Sequence, residues 1–139
     1  RPLMLDDLGL GAALEWQVQQ FRQRTDVVCE LLVDPELDRL SSDIASHVFR
    51  IVQEGLNNVA KHAGASVVTL RLGMFNRGVS LEVIDDGCGL PLAPQAGVGL
   101  TSMRERALEL GGLLSIESAE VSGTRSSGMR VSAWLPVRS

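Results

Sequence analysis

Apolar residues recur along this chain in two rhythms, and the switches between them mark out its elements. Residues 10–24 place Leu14, Val18 and Phe21 at helical spacing, which predicts a helix there. Val27–Val33 is β-branched and apolar and reads as a strand, broken by Pro35. Ser41-Ser42-Asp43 supplies capping oxygens just before Ile44, so a second helix should start there and run to about Ala63, with Gly64 as its C-cap. In that helix Ile44, Val48, Ile51, Gly55 and Val59 fall on one apolar strip. Glu54, Asn58 and Lys61, spaced four and three apart, fall on an adjoining polar one. Val67–Leu72 and Val79–Ile84 alternate as two strands, joined by Phe75-Asn76-Arg77-Gly78 as a hairpin turn. Asp85–Val98 is rich in Gly and Pro and reads as a long loop of functional character. A third helix is expected over Thr101–Leu110, stopped by Gly111-Gly112, with Met103 and Leu110 in its core face. Leu113–Glu117 and Val131–Leu135 are expected as the last two strands. This order predicts an α/β two-layer sandwich, a mixed sheet with helices on one face.

Composition narrows the function. A chain of 139 residues with 45% hydrophobic residues can build one core, and with 4% aromatics and no Tyr that core must be aliphatic. A net charge of −4 without a basic run excludes an ordinary nucleic-acid surface. Cys29 and Cys88 are isolated and read as reduced thiols of a cytoplasmic protein, too few with His47 and His62 for a zinc site. No apolar run reaches membrane-spanning length, so no direct membrane contact is expected. The start at Arg1-Pro2-Leu3, without Met, suggests a piece of something longer.

Three stretches carry candidate chemistry. The first is the helix with Glu54, Asn58 and Lys61: an acid, an amide and a cation on one strip can hold a metal and phosphates. The second, Ile84-Asp85-Asp86-Gly87-Cys88-Gly89, follows a strand. An acid there can accept from a ligand amine, and the glycines let the backbone come close. The third, Gly97-Val98-Gly99-Leu100, is expected to open a helix, where bare N–H groups and the helix dipole suit phosphate. Each has a plainer reading on its own: a solvated helix face, an Asp-Gly turn, a flexible loop. His47 reads as structural or surface.

Taken in order, the three stretches resemble the N, G1 and G2 boxes of the ATP-binding catalytic domain of bacterial sensor histidine kinases, the Bergerat-type fold shared with gyrase, Hsp90 and MutL ATPases. Leu5-Asp6-Asp7-Leu8-Gly9-Leu10 and Met103-Arg104-Glu105-Arg106-Ala107 are similar to the two-component kinases that include nitrate/nitrite and thermosensor kinases. The resemblance implies ATP and Mg²⁺ as cofactors. Asn58 would ligate Mg²⁺, and Glu54 would act beside the γ-phosphate as proton acceptor or water organiser. Lys61 and His62 would face phosphate oxygens. Asp85 would hold the adenine amine, with Gly87 and Gly89 allowing its approach. Gly97, Val98, Gly99 and Leu100 would close over the phosphates after a short ATP lid. A Gly-Thr pair often precedes the family's last strand. Here Gly128-Met129 stands at the expected offset and Gly123-Thr124 lies five residues earlier, so Thr124 is a candidate contact through an insertion or the Thr contact is missing.

The resemblance further implies residues 1–9 as a linker from a helical dimerisation domain and 10–139 as the catalytic domain. In the whole sensor, membrane-bound or not, the γ-phosphate would pass to a histidine on that dimerisation and phosphoacceptor domain, then to a response regulator. The isolated chain would bind nucleotide and barely turn it over. An anti-sigma-factor serine kinase of the same fold, or a degenerate interaction module, are the alternatives.

Overall fold

The alternating stretches form a five-stranded mixed sheet in a computed structural model that describes residues 3–87, 94–120 and 127–137. The strands are β1 (Val28–Val33), β2 (Val67–Phe75), β3 (Gly78–Asp85), β4 (Leu113–Glu120) and β5 (Ser127–Pro136), in the spatial order β1-β2-β3-β5-β4. Among the described residues only β1 against β2 is parallel; the other pairings are antiparallel. The β2–β3 turn is tight because Asn76 and Arg77 both take positive φ (51° and 59°), the paired left-handed geometry that matches strand twist.

One face of the sheet is core. Val68, Leu70 and Leu72, then Val79, Leu81 and Val83, then Met129, Val131, Ala133 and Leu135 alternate inward and are buried. Helices α1 (Leu3–Arg24), α2 (Ser42–Asn58) and α3 (Pro94–Glu109) cover this face and bury Leu14, Phe21, Val48, Ile51, Leu56 and Met103 against it. Each fully buried aliphatic side chain contributes about 1.5–3 kcal/mol, so this layer dominates stability. The opposite face is solvated. Arg71, Glu82, Arg130 and Glu117 form a cross-strand ion-pair ladder there, at 3.5, 3.7 and 3.5 Å. Among the described residues no helix is long and apolar enough to cross a membrane.

The expected elements are present, with instructive differences at their ends. α1 begins at Leu3, not at residue 10, and bends at Gly9 (φ 87°, ψ 171°). The bend frees the N–H of Gly11, which donates to Asp38 Oδ1 at 2.8 Å, so a carboxylate distant in sequence caps the second part of the helix. Asp38 lies in a 3₁₀ turn, Pro35–Arg39, that the sequence reading did not foresee. α2 starts on its Ser41 cap, whose Oγ accepts from Ile44 N at 3.3 Å. It ends in a π-helical turn, Val59–Ala63, closed by left-handed Gly64 (φ 60°). The expected loop over 85–98 is shorter, because α3 already begins at Pro94, a residue whose fixed φ suits the first helical position. α3 stops at Gly111 (φ 77°), where the N–H groups of Gly111 and Gly112 return to Leu108 and Ala107.

Candidate functional site

Glu54 and Asn58 stand one turn apart near the end of α2, a helix held to α1 by Gln17 Nε2 donating to the Phe49 carbonyl (3.3 Å) and by Arg24 donating to Asn57 (2.9 Å). Gly55 lies between them and faces the sheet: a Cβ there would sit 3.1 Å from Val83 Cγ2. Asp85 follows Val83 on the same inward row of β3, at the strand's end. The layer between α2 and the sheet therefore carries the polar groups of both the first and the second candidate stretch.

Their chemistry is unusual for a core. Asn58 and Asp85 are 6% and 2% exposed, two of only three buried polar residues among those described. Glu54 Oε2, Asn58 Oδ1 and Asp85 Oδ2 are each buried without a hydrogen-bond partner among the described residues. A buried acceptor left unmade costs about 1–3 kcal/mol, more when charged. Three on two neighbouring elements leave acceptors that a ligand's donors or a cation can meet.

The two adjacent acids of the glycine turn have different tasks. Asp86 accepts from the N–H groups of Ser66 (2.8 Å) and Val67 (2.9 Å) through Oδ1 and fastens the start of β2. Asp85 Oδ1 accepts from Gly87 N at 2.8 Å, while Oδ2 stays open. Burial raises the Asp85 pKa above its ordinary 3.8. The N–H groups of Gly87 and Met129 oppose that rise, and the charge of Asp86 adds to it.

Gly128 completes this corner. It precedes Met129, which pairs directly with Asp85, and a Cβ on Gly128 would fall 1.6 Å from the Asp85 carbonyl oxygen. Only glycine allows β5 to run that close to the Asp85–Asp86 backbone. Gly128-Met129 thus occupies the offset next to Asp85, and Thr124 lies outside the described residues.

The remaining candidates divide. Lys61 sits in the π-helical turn and is exposed. The expected strip through Glu54, Asn58 and Lys61 assumed α-helical spacing throughout, and the wider π turn breaks it after Asn58. His62 shares that turn, but its side chain lies outside the described residues, as does all of Gly89. Gly97, Val98 and Gly99 lie within α3 rather than at its opening; Gly97 still belongs to the first turn, whose N–H groups have no intrahelical acceptor. Leu100 is buried, and so is Met103 as expected; Leu110 packs partly buried on the core. His47 is half-buried with its Nδ1 unpaired among the described residues. Cys29 is a free, buried thiol, pushed up to about 11 chiefly by that burial, and is chemically quiet; Cys88 lies outside the described residues. Among the described residues no three His, Cys, Asp or Glu side chains group as a metal site. A cation here would need oxygens from its own ligand.

Two contributors escaped the sequence reading. Gly128 has no local sequence signal beyond its offset. Arg106, whose Nε donates to Glu54 Oε1 at 2.8 Å across α2 and α3, had no role assigned. Its sequence signal is faint: it stands beside the buried stripe Leu100, Met103 and Ala107.

Comparison with known proteins supplies the context. Residues 43–139 match the family of histidine kinase-, DNA gyrase B-, and HSP90-like ATPases. The chain is 37% identical over 142 residues to the sensor histidine kinase MctS of Rhizobium johnstonii, covering 99% of this chain and 31% of that protein. It is 39% identical over 127 residues to the sensor histidine kinase LiaS of Bacillus subtilis, covering 90% of this chain and 35% of the other. With the histidine-protein kinase/phosphatase UhpB of Salmonella typhimurium it shares 40% over 141 residues, 99% of this chain and 27% of that one. The chain thus spans about a third of the length of these relatives. In fold it is similar to the blue-light activated histidine kinase of Erythrobacter litoralis (TM-score 0.75, 24% identity, 92% of this chain and 42% of that one). It is also similar to the ATP binding domain of PrrB from Mycobacterium tuberculosis (TM-score 0.67, 22% identity, 92% and 93%).

Proposed function

The chain belongs to the family of histidine kinase-, DNA gyrase B-, and HSP90-like ATPases, and on that footing we propose that it is the ATP-binding catalytic unit of a sensor histidine kinase. Residues 1–9 are the linker from a helical dimerisation and phosphoacceptor domain, and residues 10–139 are the unit itself. It works on the cytoplasmic side, and a response regulator takes the phosphoryl group onward.

The observation that carries this reading is the trio of unpaired buried acceptors on Glu54, Asn58 and Asp85. Each fits one part of Mg²⁺-ATP. Asp85 Oδ2 suits an exocyclic amine donor, with Gly87 and Gly89 clearing room for the base. Asn58 Oδ1 is a neutral, hard oxygen, the donor type that Mg²⁺ takes alongside phosphate oxygens. Glu54 Oε2 is an acceptor for the proton released in the reaction. Lys61 and His62 face the phosphate oxygens, Gly97, Val98, Gly99 and Leu100 close over them, and Thr124 is a candidate further contact. Bound Mg²⁺ neutralises the charge on the phosphate chain.

The transfer asks for positioning more than covalent help. The bond from the γ-phosphorus to the bridging oxygen breaks, a bond to an imidazole nitrogen forms, and the imidazole's proton leaves to a base. The test is phosphate transfer from labelled ATP in the full-length kinase. A phosphoryl product that is acid-labile and base-stable supports a histidine acceptor. An acid-stable phosphoserine would contradict it and point to a serine kinase of the same fold.

A further inference from the structure

Among the described residues, α2 and α3 form the most extensive helix–helix contact. On α3 Leu100, Met103 and Ala107 are buried, and the Met103 sulfur lies 3.7 Å from where a Cβ on Gly55 of α2 would be. Across this contact Arg106 Nε donates to Glu54 Oε1 at 2.8 Å, with side chains 33% and 20% exposed.

The form of this bond carries more than its presence. Arg–carboxylate pairs are frequently bidentate, the fork engaging both oxygens at once. Here it engages one. The other, Oε2, is buried and unpaired among the described residues. A single short bond fixes where the carboxylate lies and leaves one acceptor free. Arg106 also belongs to the helix whose first two turns carry Gly97, Val98, Gly99 and Leu100. It therefore ties the segment assigned to the phosphates to the acid assigned to the reaction.

We propose that Arg106 is a positioning residue for Glu54: it fixes the carboxylate through Oε1, so that Oε2 is the atom presented to the reacting proton. This rests on the reading of Glu54 given above.

The test uses the full-length kinase with Glu54→Gln, Arg106→Gln, Arg106→Lys and the double variant Glu54→Gln/Arg106→Gln, measuring phosphohistidine formation, KM for ATP and Tm. Misplacing a catalytic group by an ångström costs up to about a hundredfold, so Arg106→Gln should lower kcat by about ten- to a hundredfold. KM for ATP should stay within about twofold, because Arg106 does not touch the base-binding corner. Arg106→Lys, which can still meet one oxygen, should recover part of the loss. The double variant should be no slower than Glu54→Gln alone, since two residues acting as a unit are not additive. If Glu54→Gln lowers kcat and Arg106→Gln does not, the pair is only a fastening and the inference is overturned while the role of Glu54 stands. Equal losses in kcat and ATP affinity together with a lower Tm would also overturn it. If Glu54→Gln itself leaves kcat unchanged, the reading of Glu54 fails and the inference falls with it.

Discussion

Asp85→Asn should weaken nucleotide binding while leaving the empty chain at least as stable as before. The substitution is isosteric. The amide oxygen can keep the bond from Gly87 N, and the amide nitrogen then takes the place of Oδ2, the unpaired acceptor. An acceptor that met an amine becomes a donor facing a donor. A hydrogen bond to a charged group contributes about 1.5–3 kcal/mol, which at about 1.4 kcal/mol per tenfold is about a 10- to 150-fold loss of affinity.

Stability should move the other way. Burial holds the Asp85 pKa above its ordinary 3.8, so the folded chain keeps this proton to higher pH than the unfolded chain does. As pH rises from about that ordinary value through the raised one, the unfolded chain loses its proton first and the fold loses stability. At neutral pH the ionised acid works against the empty fold, and Asn removes that cost. Calorimetric titration with a non-hydrolysable ATP analogue and thermal melts across pH 4–8 read both effects. In the wild type, analogue affinity should also fall on acidification through the raised pKa, as Oδ2 is protonated. Unchanged affinity of Asp85→Asn, or a marked drop in its melting temperature at neutral pH, would refute the reasoning.

Three further outcomes follow from the geometry. Asn58→Leu removes a buried acceptor that is unpaired among the described residues, so the empty chain should keep its Tm while the Mg²⁺-dependent part of analogue affinity disappears in calorimetry with and without EDTA. Gly128→Ala drives a Cβ into the Asp85 carbonyl; it should cost about 1–3 kcal/mol or more in chemical denaturation and weaken analogue binding by displacing Asp85. Asp38→Ala removes the cap on Gly11 N and should cost about 0.5–2 kcal/mol without changing analogue affinity, whereas Asp38→Asn, an equally good cap, should cost little.

Local signals made much of this legible. The apolar strip of α2 and its Ser41 cap are written in periodicity and capping chemistry, and both appear as read. The Asn76-Arg77 turn follows from two alternating runs with Phe75-Asn76-Arg77-Gly78 between them. Glu54, Asn58 and Asp85 could be singled out because ordered motifs flagged them, and the structure adds the burial of Asn58 and Asp85 and an unpaired buried oxygen on each of the three. What stayed hidden has no local signature. A π turn differs from an α turn by one hydrogen-bond step, so the displacement of Lys61 could not be read from spacing. The Asp38 cap depends on a contact 27 residues away in sequence, and the Arg106 bond on one 52 away. The need for glycine at 128 exists only once β5 is laid against β3.

The most direct measurement is calorimetric titration of this chain with a non-hydrolysable ATP analogue, with Mg²⁺ and then with EDTA. The account predicts saturable one-to-one binding that weakens when the cation is withdrawn. A well-folded chain that takes up no analogue at millimolar concentration, with Mg²⁺ present, would contradict it.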